Sequence, residues 1–263
     1  MPFADVRGQR IHYQDSGGDG PPVILAHGFL MDQSMFDPQV AALSPEYRII
    51  RWDERCFGET TTDGKAFSYW DSALDCLALL DHLGIERAVV GGMSQGGFLS
   101  LRAALTAPER VVGLLLLSTQ AGVEDPETLA GFQQMVDTWS EHGPLDELVN
   151  GVASFLLNDE TENARWIATW KQRDKAFMAE AGRCLLTRDD ITDRLAEIAC
   201  PALVVHGTAD AGIVPERAAD MASRLADCRG VVWVEGAAHA PNLTHSDQVN
   251  PPVLEFLRGL DRW

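Results

Sequence analysis

Arg87-Ala-Val-Val-Gly-Gly-Met-Ser94-Gln-Gly-Gly-Phe-Leu-Ser-Leu-Arg-Ala-Ala-Leu105 changes character at its middle. Residues 87–90 are a short apolar run, as a strand buried on both faces requires. From 98 to 105 the apolar positions recur at helical spacing. Between the two lies Gly92-Met93-Ser94-Gln95-Gly96, a G-x-S-x-G at the junction of strand and helix. Its glycines let the backbone turn where a Cβ would clash, which leaves the serine exposed at the C-terminal edge of a sheet. That is the setting of a nucleophile.

Working outward, residues 23–26, 48–52, 111–117, 202–205 and 231–234 are further strand-like runs. Helical periodicity marks 73–83, 217–225 and 253–260. At the N-terminus, 4–6 and 10–13 read as a hairpin turning at Arg7-Gly8-Gln9, and the glycine- and proline-rich stretch 17–22 breaks the chain after it. Strands alternating with helices predict an α/β fold with a mainly parallel sheet and helices on both faces. The alternation stops after Leu117. Residues 121–190 are predominantly helical and contain no convincing strand. The expected organisation is a core of 1–120 and 191–263 with a helical cap, 121–190, inserted after the sixth strand.

The chain has 263 residues, 46% of them hydrophobic and 23% charged, enough to build a sizeable core. Its formal net charge of −18 sets up a field that repels phosphate backbones and anionic lipids, so neither nucleic acid nor a membrane surface is an expected partner. The five cysteines are scattered, odd in number and without a C-x-x-C pair, which argues against a disulfide framework and a zinc site. There is no His-Glu-x-x-His and no phosphate-cradling glycine loop, so no metal or cofactor is expected. The first residues carry no basic-then-apolar signal and no run is long enough to span a bilayer. The expectation is a cytoplasmic protein. Nothing in the sequence bears on its oligomeric state.

A serine hydroxyl needs a base, and the base needs an orienting group. Of seven histidines, His239 stands in a loop just past strand 231–234, where an α/β sheet places its working groups. His245 is the runner-up, in a stretch that reads as a helix entry. His206 ends a strand and reads as shaping the backbone there. Asp210 follows strand 202–205 at another C-terminal strand end and is the candidate acid, keeping the imidazole in one tautomer. The order Ser94, Asp210, His239 is that of the strand–elbow–helix hydrolases. His27-Gly28-Phe29-Leu30 follows strand 23–26; it nominates the backbone N–H groups of Phe29 and Gln95 as donors to a developing oxyanion. His27 itself reads as a brace for that loop.

Together, His27-Gly28, Asp53-Glu-Arg-Cys56-Phe-Gly58, Gly92–Gly96, residues 207–215 and His239 resemble the α/β-hydrolase superfamily. The similarity covers about 1–120 and 200–263, and points to the branch with oxoadipate enol-lactonases, biotin-pathway carboxylesterases and bacterial esterases and perhydrolases. Residues 35–43 and 81–87 look most like the enol-lactonases, and 239–245 like the carboxylesterases and perhydrolases. In the family's second motif, Asp-x-Arg-Gly-x-Gly, Cys56 occupies the first glycine; if that position needs a positive φ, the loop has to differ locally. The resemblance implies a carboxylic ester hydrolase, acting through an acyl-enzyme on small esters or lactones, acyl-homoserine lactones included. A cofactor-free perhydrolase and a ligand receptor on the same fold are the alternatives.

The expected cap carries Phe132, Met135, Trp139, Phe155, Trp166, Trp170, Phe177 and Met178. Leu30, Trp139, Phe155, Trp166 and Trp170 are the candidate pocket residues, with Trp166, Trp170 and Phe177 read as one helical face. Arg165, Lys171, Arg173 and Lys175 form a basic island that either solvates a helix or holds a substrate carboxylate.

Overall fold

The computed structural model describes residues 2–260. Strands β1 (Phe3–Val6) and β2 (Gln9–Asp15) form the N-terminal hairpin, turning at Arg7 and Gly8, both at positive φ. Such a two-residue turn matches the right-handed twist of the strands it joins. The other strands are β3 (Pro22–Ala26), β4 (Arg48–Trp52), β5 (Ala88–Met93), β6 (Val111–Leu117), β7 (Ala202–Gly207) and β8 (Cys228–Val234). They make one eight-stranded sheet in the order β1-β2-β4-β3-β5-β6-β7-β8. The pairings of β2 with β1 and with β4 are antiparallel; all those from β4 to β8 are parallel.

Helices α1 (Asp37–Leu43), α2 (Tyr69–His82) and α3 (Gln95–Thr106) connect the first parallel strands. A capping box at Ser68 and Asp71 starts α2 four residues ahead of the apolar periodicity, because its first turn is held by hydrogen bonds and not by burial alone. The chain runs from β3 outward to β4, then back past β3 to β5. Their C-terminal ends therefore flank a crevice at the point where strand order reverses, the usual place for a ligand in such sheets.

Between β6 and β7 lie four α-helices: α4 (Pro126–His142), α5 (Asp146–Leu156), α6 (Glu160–Gln172) and α7 (Phe177–Leu186). The chain then adds α8 (Pro215–Arg224), α9 (Pro241–Thr244) and α10 (Ser246–Arg258). No helix among the described residues is long and apolar enough to cross a membrane.

Three expectations need correction. Strand β8 is not buried on both faces: it is the sheet's edge, and Trp233 is 43% exposed. Helix α10 begins at Ser246, seven residues before the expected start, and runs through Pro251 and Pro252. Prolines inside a helix forfeit backbone hydrogen bonds. Here Val249, Val253, Phe256 and Leu257 bury one stripe, while Asn250 pairs with Gln39 and with the Pro38 carbonyl, so tertiary contacts outweigh that loss. At Cys56 the loop does not depart from a left-handed geometry; the cysteine itself takes φ 72°. Its carbonyl accepts from Arg173, and burial pushes its thiol pKa up, which makes it a structural residue and a poor nucleophile.

Candidate active site

Strand β5 delivers Ser94 into a sparsely populated conformation, φ 53° and ψ −112°. Its N–H donates to the Leu117 carbonyl at 2.9 Å, and its own carbonyl accepts from Gly97, Phe98 and the Thr119 hydroxyl. These bonds hold the strain. The flanking glycines are obligatory: a Cβ on Gly96 would sit 1.9 Å, and one on Gly92 2.4 Å, from the Ala26 carbonyl oxygen.

Asp210 lies in the loop after β7. Its Oδ1 accepts the N–H groups of Gly212 (2.8 Å) and Ile213 (3.0 Å), and its Oδ2 accepts from His239 Nδ1 at 2.8 Å. Burial pushes the carboxyl pKa up, but the attraction of His239 and the hydrogen bonds from both His206 and His239 outweigh it, holding Asp210 well below the usual carboxylate range. With Nδ1–H directed at Asp210, Nε2 is the ring nitrogen of His239 left to exchange a proton. The ring and Ser94 line one cavity, with no hydrogen bond between them in this conformation.

His206 is nearer this pair than the sequence suggested. Its Nε2 lies 2.7 Å from the Ile213 carbonyl oxygen and 3.2 Å from Asp210 Oδ2, so it fixes the loop that carries the carboxylate. His245 is elsewhere: it precedes α10, and its Nδ1 lies 2.8 Å from the Thr244 hydroxyl. His27 braces its loop as expected. Its Nδ1 donates to the Gly28 carbonyl and its Nε2 accepts the Glu54 N–H, and burial holds its pKa down.

The N–H groups of Phe29 and Gln95 donate to no backbone carbonyl among the described residues. Both residues are held from behind. Gln95 Nε2 donates to Glu54 (3.0 Å) and its Oε1 accepts from the Tyr69 hydroxyl (3.2 Å). Glu54 is fully buried, and desolvation raises its pKa well above the ordinary 4.5. Beside Phe29, Leu30 takes φ 68°, and its carbonyl accepts from the Trp170 indole at 2.8 Å.

The cavity is lined mainly by apolar side chains with Ser94 and His239 at its wall, the make-up of a small-molecule site. Of the candidate pocket residues, Leu30 and Phe155 line it; Trp139, Trp166 and Trp170 do not. Trp170 packs edge-on against Trp139, which meets Phe177, while Trp166 turns its indole to Glu162 and lies under Arg165. These fully buried rings pack the helices together and onto the Leu30 loop. Nor do Trp166, Trp170 and Phe177 share a helix: α6 ends at Gln172 and Phe177 starts α7.

The cavity wall from the helices is Phe132 and Met135 of α4, Val152, Phe155 and Leu156 of α5, and Leu185 of α7. The three-residue spacing in α4 and the i, i+3, i+4 set in α5 were readable signals of an apolar face. The basic island is spent on structure. Arg165 reaches Ser34 and Asp37, Lys171 pairs with Asp146, and Lys175 donates to the Glu141 carbonyl. Arg173 lies over the rings of Phe57 and Phe177.

A sheet with this strand order, and a serine on a strained turn at its centre, defines the class. Residues 21–246 match the family model described as alpha/beta hydrolase fold, and the chain belongs to that family. A Synechocystis protein named "Putative non-heme chloroperoxidase" is 29% identical over 98% of this chain and all of its own length. Among solved structures, a thermophilic esterase from Thermogutta terrifontis is 26% identical with a TM-score of 0.91, each chain covered in full. The enol-lactonase from Burkholderia xenovorans LB400 is 28% identical with a TM-score of 0.86, over 98% of this chain and all of that one.

Proposed function

We propose that this protein is a carboxylic ester hydrolase, acting on small esters or lactones through Ser94, His239 and Asp210. The observation that carries the reading is the His239–Asp210 hydrogen bond, made at a cavity whose wall also holds the strained Ser94. The Ser94 hydroxyl attacks the carbonyl carbon while His239 Nε2 takes its proton, and Asp210 steadies the imidazolium that forms. The Phe29 and Gln95 N–H groups receive the oxyanion, each donor worth roughly 3 kcal/mol in the transition state. The proton passes to the departing alcohol, then water, deprotonated by the same imidazole, releases the acid from Ser94. A lactone follows the same path with its alcohol still tethered. Helices α4–α7 act as a cap, excluding water and shaping the space for the acyl group. The similarity to an esterase and an enol-lactonase of the same length supports the reading.

The chloroperoxidase name of one relative favours a second reading, in which hydrogen peroxide replaces water and a peracid leaves Ser94. A screen of open-chain esters beside lactones, with and without peroxide, separates the two. A fluorophosphonate probe should label the parent protein at Ser94, and Ser94→Ala should lose the label and lower kcat by about 10⁴ or more. Equal turnover by the mutant overturns the assignment; an unlabelled but ligand-binding parent would be a receptor.

A further inference from the structure

We propose that the cavity beside Ser94 selects uncharged acyl chains and rejects chains ending in a carboxylate, and that the buried pair Glu124–Arg188 sets this preference. The proposal rests on the ester-hydrolase reading above and names the substrate class.

The wall of the cavity is apolar with two titratable exceptions, His239 and Glu124. No lysine or arginine lines it among the described residues. Glu124 stands in the segment between β6 and α4, with a side chain only 8% exposed. Its Oε1 accepts from Arg188 Nη2 at 2.7 Å, and the Gln120 amide donates to both its oxygens, at 2.8 and 2.9 Å.

Arg188 follows α7, 3% exposed, and each of its three nitrogens donates to the protein. Its Nε goes to the Gly122 carbonyl, its Nη1 to the Leu185 carbonyl and its Nη2 to Glu124, with the guanidinium 4.5 Å above the Phe98 ring. The pair clips the entry of the helical segment to its exit, and it presents the carboxylate, not the guanidinium, to the cavity.

A neutral acyl chain entering this space loses water and gains apolar contact. A chain with a terminal carboxylate loses its hydration and finds no cation: the one nearby is committed to Glu124, whose own charge faces the newcomer. An unpaired buried charge is strongly disfavoured. The formal net charge of −18 adds a long-range repulsion of the same sign. The cavity supplies no partner for an acid function on the acyl side.

The test compares p-nitrophenyl hexanoate with the mono-p-nitrophenyl ester of adipate, which has the same chain with a carboxylate at its end. In the parent protein kcat/KM should favour the neutral ester by about 100-fold or more. Glu124→Gln leaves the Arg188 guanidinium without its carboxylate, so the neutral-to-anionic ratio should fall at least about tenfold within that variant. Glu124→Gln with Arg188→Met removes both charges and should restore the discrimination. Comparable kcat/KM for the two esters in the parent overturns the proposal, with no need for either variant to fold. So does a ratio in folded Glu124→Gln equal to that of the parent. Turnover of p-nitrophenyl acetate reports the ester-hydrolase reading separately. If it is absent, the charge preference is read from melting-point shifts with hexanamide and hexanoate, and equal shifts overturn it.

Discussion

Trp170 and Trp139 offer a controlled comparison. Both rings are fully buried and pack edge-on against each other, but only Trp170 uses its indole N–H, on the carbonyl of Leu30. Trp139 Nε1 has no protein acceptor among the described residues. Trp→Phe at either position leaves a similar void, at about 1 kcal/mol. In Trp170→Phe the Leu30 carbonyl is orphaned as well, which adds about 1–3 kcal/mol. In Trp139→Phe an unmatched donor leaves, which offsets part of the void. The two variants should differ by about 2 kcal/mol in urea unfolding, or about 4–8 °C in Tm for a chain of this size. Catalysis should separate them further. Leu30 is at positive φ on the loop that carries the Phe29 N–H, and an error of about 1 Å in a positioning group can cost about 100-fold. Trp170→Phe should lower kcat on a neutral ester with little change in KM, whereas Trp139→Phe should not. Equal stability losses would refute the reasoning about the hydrogen bond. A full loss of stability in Trp170→Phe with kcat intact would refute the link from α6 to the proposed oxyanion donors.

Three further outcomes are expected. His239→Ala should lower kcat by about 10⁴ or more while His245→Ala keeps most activity; the opposite ranking in a side-by-side assay means the base is misassigned. Glu54 has a folded pKa raised by burial, so the native protein holds a proton that the unfolded chain releases above about pH 4.5. Its contribution to stability is full below that pH and is lost as pH rises through the raised folded value. Glu54→Gln keeps an acceptor for Gln95 and removes that loss. Its Tm relative to the parent should climb with pH above 4.5, and a flat difference from pH 4 to 9 counts against a neutral Glu54. Phe155, on the cavity wall and 39% exposed, should control chain length. Phe155→Ala should move kcat/KM along a p-nitrophenyl ester series toward longer chains, by about 1–3 kcal/mol per methylene accommodated. Trp166→Ala should cost stability and leave the profile in place.

The strands and the loops that bear Ser94, Asp210 and His239 were legible in the amino-acid sequence because their signals are local. A buried parallel strand is a continuous apolar run, and a Gly-x-Ser-x-Gly between strand and helix leaves the backbone one way to turn. The glycines show why: at Gly92 and Gly96 a Cβ would collide with the Ala26 carbonyl, so the steric constraint is written in residue identity itself. Residues 121–190 also read as predominantly helical, but such a reading tells only that a helix has an apolar side, not what that side meets. Three tryptophans read as pocket residues turned out to hold helices together, and smaller neighbours at Met135, Val152 and Leu156 line the cavity instead. The tertiary structure also placed β8 at an open edge, carried α10 across two prolines, and joined Glu124 to Arg188 across 64 residues of chain. Each depends on which surfaces are brought together, and burial against a distant partner is a property of the assembled chain that no short window contains.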